Sequence, residues 1–131
     1  MKILVVDDEK DTQTLFEQRF RKAVRAGELV FEFADSGEKA LKYLYANKSE
    51  AVLILSDINM PGMSGLELLE RIKTSLVPPP HVVMMITAYG DANNYEQAMR
   101  LGADDFLTKP LDFNLLREKI LNKLHGKDIS G

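Results

Sequence analysis

Cysteine is absent from the 131-residue chain, which excludes thiol catalysis, thiolate metal sites and a disulfide framework. Histidine is scarce, and neither of the two residues contributes anything obvious to a metal or catalytic site. No apolar run approaches the roughly 20 residues that a membrane-spanning helix needs. The amino end reads directly into a strand pattern, with no charged, then apolar, then small-residue leader. The cytoplasm is therefore the expected compartment. Neither sign of charge dominates: 17 basic and 20 acidic residues leave a net charge of -3, which argues against broad affinity for nucleic acid or anionic membranes. What is present is enough apolar material, 45% of residues, to fill one core, in a length that leaves no room for a second domain of ordinary size.

Strand-like runs alternate with segments of helical period five times over, the pattern of a parallel sheet wrapped by helices. Three runs lead into polar groups at their carboxyl ends: Lys2 to Val6 into Asp7-Asp8, Ala51 to Ser56 into Asp57, and Val82 to Ile86 into Thr87. Shorter runs lie at Phe31 to Phe33 and at Phe106-Leu107, the latter followed by Lys109-Pro110.

The first helix is expected on Leu15, Phe16, Phe20, Ala23 and Val24, with Gly27 as a left-handed stop. The second begins near Asp35-Ser36-Gly37-Glu38 and uses Ala40, Leu41, Leu44 and Tyr45. The third spans Ser64 to Leu76, buries Leu66, Leu69, Ile72 and Leu76, and stops before Pro78-Pro79-Pro80. The fourth, Asp91 to Leu101, has apolar spacing only in Tyr95, Ala98, Met99 and Leu101 and contains two poor helix formers, Asn93 and Asn94, so it should be short and weakly anchored. Asp112 should cap a fifth helix through Phe113, Leu116, Ile120 and Leu124. One domain over residues 1–125 and a flexible tail over 126–131 are expected.

Strands covered on both faces read as continuous apolar runs, whereas less covered edge strands alternate. The runs ending at Val6, Ser56 and Ile86 therefore belong in the middle, and those at Phe31 and Phe106 at the edges. The expected fold is an α/β, doubly wound, five-stranded parallel sheet of flavodoxin-like order 2-1-3-4-5 with five flanking helices. Winding then reverses between strands one and three, so Asp7, Asp8 and Asp57 meet in the crevice where such sheets bind ligands. Crowded carboxylates repel one another and call for a cation. All-oxygen ligands with positions left for water and a phosphoryl oxygen favour Mg²⁺. Lys109 adds a positive charge, and a cis bond to Pro110 would aim it into the crevice, while a trans bond would simply end the fifth strand.

Asp7-Asp8, the run Asp57-Ile58-Asn59-Met60-Pro61-Gly62-Met63-Ser64-Gly65, Thr87-Ala88, Gly102-Ala103-Asp104-Asp105-Phe106 and Lys109-Pro110 together resemble the receiver domain of two-component response regulators. The resemblance runs from Lys2 to about Leu124. It implies a module that catalyses its own modification: Asp57 takes a phosphoryl group from a phosphohistidine on a sensor histidine kinase or a phosphotransfer protein. It implies Mg²⁺ held by Asp7, Asp8, Asp57 and the backbone carbonyl of Asn59. Lys109 would pair with one phosphoryl oxygen and the Thr87 hydroxyl with another. Phe106 matches an aromatic switch position where tyrosine is commoner, so here the signal would travel by burial and shape, without a phenolic hydrogen bond. Asn59 and Tyr89 border the path of an attacking water and would set the lifetime of the acyl phosphate, Tyr89 by shielding it. The surface of the fourth helix, fifth strand and last helix, with Tyr95, Arg100, Asp104, Asp105 and Arg117, resembles the one receivers use for homodimers or targets. Nucleic acid and membrane are not expected as direct partners.

Three alternatives differ in class. A haloacid-dehalogenase-like phosphohydrolase also uses a strand-end aspartate with Mg²⁺, but needs a proton-donating acid two residues later, where this chain has Asn59. A pseudo-receiver would bind partners without phosphorylation, which the complete set of acids, hydroxyl and lysine opposes. A flavin-binding module would place Asp7-Asp8 against a phosphate that two carboxylates repel.

Overall fold

The computed structural model describes residues 1–48, 50, 52–75, 82–88 and 92–129, with side chains as far as 122. Five strands, β1 (Lys2–Val6), β2 (Val30–Ala34), β3 (Val52–Asp57), β4 (Val82–Ala88) and β5 (Asp105–Lys109), form one sheet in the order β2-β1-β3-β4-β5. Every pairing is parallel, as the alternation of strands and helices requires. The register aligns the carboxyl ends of the strands. Val6 lies opposite Ser56, so Asp7 and Asp57 leave neighbouring strands at the same level. Asp57 in turn pairs with Ile86, one residue before Thr87, and Ala88 pairs with Lys109.

Among the described residues six helices cover the sheet: α1 (Thr12–Arg19), α2 (Arg21–Arg25), α3 (Gly37–Ala46), α4 (Gly65–Ser75), α5 (Ala92–Arg100) and α6 (Phe113–Ile129). Because successive side chains on a strand point to opposite faces, each central strand feeds two cores. Leu4, Val6, Val52, Ile54, Val83 and Met85 pack with Ala40, Leu44, Leu68, Leu69, Ile72 and Ala98 from α3, α4 and α5. Ile3, Val5, Leu53, Leu55, Met84 and Ile86 pack on the other face with Phe16, Phe20, Leu116 and Ile120. The three central strands are thus buried on both sides, while Phe31, Glu32 and Phe33 of edge strand β2 are only half covered.

Local chemistry sets the helix ends as the sequence suggested. Ser36 accepts the Lys39 N–H at 3.1 Å, Ser64 accepts the Glu67 N–H at 3.2 Å, and Asp112 accepts those of Asn114 and Leu115 at 3.0 and 3.2 Å. Gly27, at φ +77, ends α2 in the left-handed conformation.

Four expectations need correction. The first helix is two, α1 and α2, parted at Phe20 (φ −111, ψ 20). The division falls where the ring of Phe20 is held by Phe16, Phe31 and Phe113, so aromatic packing overrides an unbroken 3.6-residue period. Leu15, Val24 and Tyr45 are exposed, since a stripe of three- and four-residue spacing is wider than the face the sheet can cover. In α4, Leu68 is fully buried and Leu66 only partly so, and Leu76 and Pro78–Pro80 lie outside the described residues. Finally, α6 continues to Ile129, across positions 126–129 that sequence alone assigns to a tail, because glycine at 126 weakens a helix without barring it. Among the described residues no helix is long and apolar enough to cross a membrane.

Candidate functional site

The carboxyl ends of β1, β3, β4 and β5 each deliver one kind of group. After β1, the Asp7 N–H still donates to Ala34 O of β2 at 3.1 Å, and the Asp7 carboxylate accepts the Glu9 N–H at 2.9 Å. The acidic loop is thereby folded over the strand end, with Asp7 half-buried and Asp8 exposed. Asp57 is the last residue of β3 and is 5% exposed. Its place is fixed from below by a close approach of α4: the Gly65 N–H donates to Ile58 O at 2.8 Å, and a Cβ on Gly65 would overlap the Asp57 carbonyl oxygen. Only glycine allows this packing. Thr87, buried at the end of β4, accepts a hydrogen bond from Asn94 Nδ2 of α5 at 3.5 Å.

Lys109 ends β5, and its bond to Pro110 is cis. Its ammonium donates to Asp57 Oδ2 at 2.8 Å and to Glu9 Oε1 at 3.1 Å, and stands 3.8 Å from Asp7 Oδ2. Asp7, Asp8 and Asp57 each offer a carboxylate oxygen within 4.8 Å of the others. Burial pushes the Asp7 carboxyl above the ordinary carboxylate range, against the Glu9 N–H and the Lys109 charge, which favour its ionised form. Burial opposes the charge of Lys109, but hydrogen bonds to Asp57 and Glu9 outweigh it and hold the ammonium well above the usual lysine range. With three carboxylates at one ammonium and Asp8 beside two of them, the cluster is short of positive charge. Its all-oxygen donors fit a hard divalent cation and not a thiophilic one.

The structure therefore brings together Asp7, Asp8, Asp57 and Lys109, and places Thr87 at the adjoining strand end. Asn59 follows Asp57 on an exposed turn, its N–H 3.4 Å from Asp57 Oδ1. Phe106 lies on β5 apart from the acids, half-buried, edge-on to Tyr95 of α5 at 5.0 Å. Tyr89 lies outside the described residues. Glu9 is the site residue that the sequence motifs miss. Its signal is its place as the third acid of an unbroken run after β1, masked by the pair at 7 and 8 that the motif already explains.

A family model described as the response regulator receiver domain matches residues 3–121. A cyclic di-GMP phosphodiesterase from Thermotoga maritima is 37% identical over 97% of this chain and 32% of its own length, so the chain spans about a third of that relative. The sporulation initiation phosphotransferase F of Bacillus subtilis is 33% identical over 91% of this chain and 90% of its own. A solved response regulator receiver domain protein from Clostridium thermocellum superposes with a TM-score of 0.84 at 28% identity, covering 99% of this chain and 98% of the other.

Proposed function

The chain belongs to the response regulator receiver family, and from that premise we propose that it is a signalling module switched by phosphorylation of Asp57. The observation that carries the reading is the Lys109 ammonium bonded at 2.8 Å to the buried carboxylate of Asp57, in the midst of the acid cluster. Phosphoryl transfer demands positioning and neutralisation of charge on the three equatorial oxygens more than covalent assistance. An Asp57 oxygen forms the new bond to phosphorus while the bond to the donor's imidazole nitrogen breaks, and the electron pair leaves with that nitrogen. Lys109 lies beside the acceptor oxygen, where it would pair with a phosphoryl oxygen, and Thr87 presents a hydroxyl from the next strand. Asp7, Asp8, Asp57 and the backbone carbonyl of Asn59 would hold Mg²⁺, which supplies further neutralisation of the transferring group.

The donor in this reading is the phosphohistidine of a sensor kinase or phosphotransfer protein, in the cytoplasm. A groove of 610 Å³ lined by Leu15, Phe16, Lys109, Pro110 and Phe113 adjoins the site and gives such a partner a place to approach. Once Asp57 is modified, attraction of the Thr87 hydroxyl to the new group would draw it from Asn94 and so disturb α5, and Phe106 would follow by shape alone. Asn59 and Tyr89 tune the lifetime of the modified state, and α5, β5 and α6 form the output or homodimer surface. Residues 1–125 constitute the receiver domain.

The test is intact-mass measurement after incubation with acetyl phosphate and Mg²⁺. One added phosphoryl group in the parent, absent in Asp57→Asn and lost with chelator, is the expected result. Labelling that persists in Asp57→Asn overturns the assignment. Retention of labelling in Asn59→Asp separates a receiver from a phosphohydrolase, which would turn the donor over.

A further inference from the structure

Lys109 is shared. One of its three N–H groups goes to Asp57 and another to Glu9, a residue 100 positions away in sequence and on the opposite lip of the crevice. The Glu9 backbone is pinned through its N–H to Asp7, while its side chain is 66% exposed. A phosphoryl group arriving at Asp57 brings oxygens that need the same ammonium. Glu9 is the exposed partner of this ammonium and Asp57 the buried one, so a group arriving from solvent meets the Glu9 contact first.

We propose that Glu9 is a resting-state competitor for the Lys109 ammonium, a positioning residue that the incoming phosphoryl group must displace before the lysine can serve it. The inference rests on phosphorylation of Asp57. It makes entry to the crevice depend on a carboxylate that neither accepts the phosphoryl group nor belongs to the acid trio. Resting Lys109 is held back, and the rate of modification is set partly by how readily Glu9 lets go.

Acetyl phosphate is the probe, its labelling of Asp57 followed by intact mass with Mg²⁺ at saturating metal. In each turnover an Asp57 oxygen bonds to phosphorus and acetate leaves with the electron pair of the broken phosphorus–oxygen bond. Glu9→Gln should label about two- to fivefold faster, the range set by release of an exposed ion pair. Glu9→Asp is decisive, because it keeps the charge but is one methylene too short to hold the contact. It should be as fast as Glu9→Gln. The gain should shrink at high ionic strength, where the exposed pair is screened in the parent as well.

Glu9→Gln no faster than the parent, or Glu9→Asp indistinguishable from the parent, overturns the proposal; the second result would assign the effect to through-space repulsion. Neutralising Asp35, an exposed acid on the same crevice paired with Lys39, is the control and should leave the rate unchanged. A parent that takes no label at Asp57 removes the function and this inference together. A labelled parent with an unaccelerated Glu9→Gln removes this inference alone.

Discussion

Helices α4 and α5 lie on the same face of the sheet, one behind Asp57 and the other behind Thr87, yet they are held very differently. α4 buries Gly65, Leu68, Leu69 and Ile72, and its first turn presses on the backbone of Asp57 and Ile58. α5 buries only Ala98 and leaves Tyr95 and Met99 exposed. Full burial of each large aliphatic side chain contributes about 1.5–3 kcal/mol, so α4 is fastened by three such groups and α5 by a methyl. The contrast divides labour within one site. Asp57, the acceptor in the proposed function, sits on a firm base, and Thr87 sits beside an element that little holds in place. Regions that move in switching are drawn from the weakly packed end of a structure.

The largest effects should come from loosening the firm side. Leu68→Ala should cost about 2–5 kcal/mol in urea unfolding, the range for buried leucine truncation. Gly65→Ala follows at about 1–3 kcal/mol, because the added methyl must displace backbone at Asp57 and Ile58. That variant should also slow labelling of Asp57, whereas Leu68→Ala should unfold more easily while labelling at nearly the parent rate. Equal losses of labelling in both would blur the distinction between a strand held for packing and one held for chemistry.

On the loose side the effects should be smaller. Tyr95→Ala removes one edge-on ring contact to Phe106, worth about 0.5–1.5 kcal/mol at full burial and less at this exposed position. Amide hydrogen exchange should sharpen the comparison without any substitution: residues 92–100 should exchange well before residues 68–75. Comparable protection in the two helices would mean that α5 is not the responsive element.

Much of this is legible in the residues. Strand order follows from which apolar runs are continuous, and the order alone places Asp7, Asp8 and Asp57 together. The weak anchoring of α5 is visible in its spacing and its two asparagines. What the chain conceals is tertiary. Phe20 divides the first helix because five phenylalanines, at 16, 20, 31, 33 and 113, converge on one face, and periodicity within a single helix carries no trace of rings arriving from β2 and α6. Leu66 and Leu68 each keep helical spacing to part of the apolar stripe, at three residues from Leu69 and four from Ile72, but they stand about 200° apart around the helix and the sheet covers the second. The Glu9 side chain joins the site through a lysine 100 residues distant, a pairing that neither local motif announces.

The smallest expected effect tests the cost of the firm side. Burial raises the Asp7 carboxyl above its ordinary value near 3.8, so the folded protein holds that proton more tightly than the unfolded chain. Between the unfolded and the raised folded value the native state binds more protons, and stability must fall as pH rises through this window. Above it, ionised Asp7 opposes folding in full. In chelator, Asp7→Asn should therefore raise Tm by a few degrees at neutral pH, with the advantage over the parent narrowing as pH falls through the window. The same substitution should slow labelling of Asp57, separating what the acid does for chemistry from what it costs the fold. A Tm for Asp7→Asn below the parent's at neutral pH would mean that its contacts with the Glu9 N–H and Lys109 outweigh its burial, and that the base beneath Asp57 is steadied by the acids instead of strained by them.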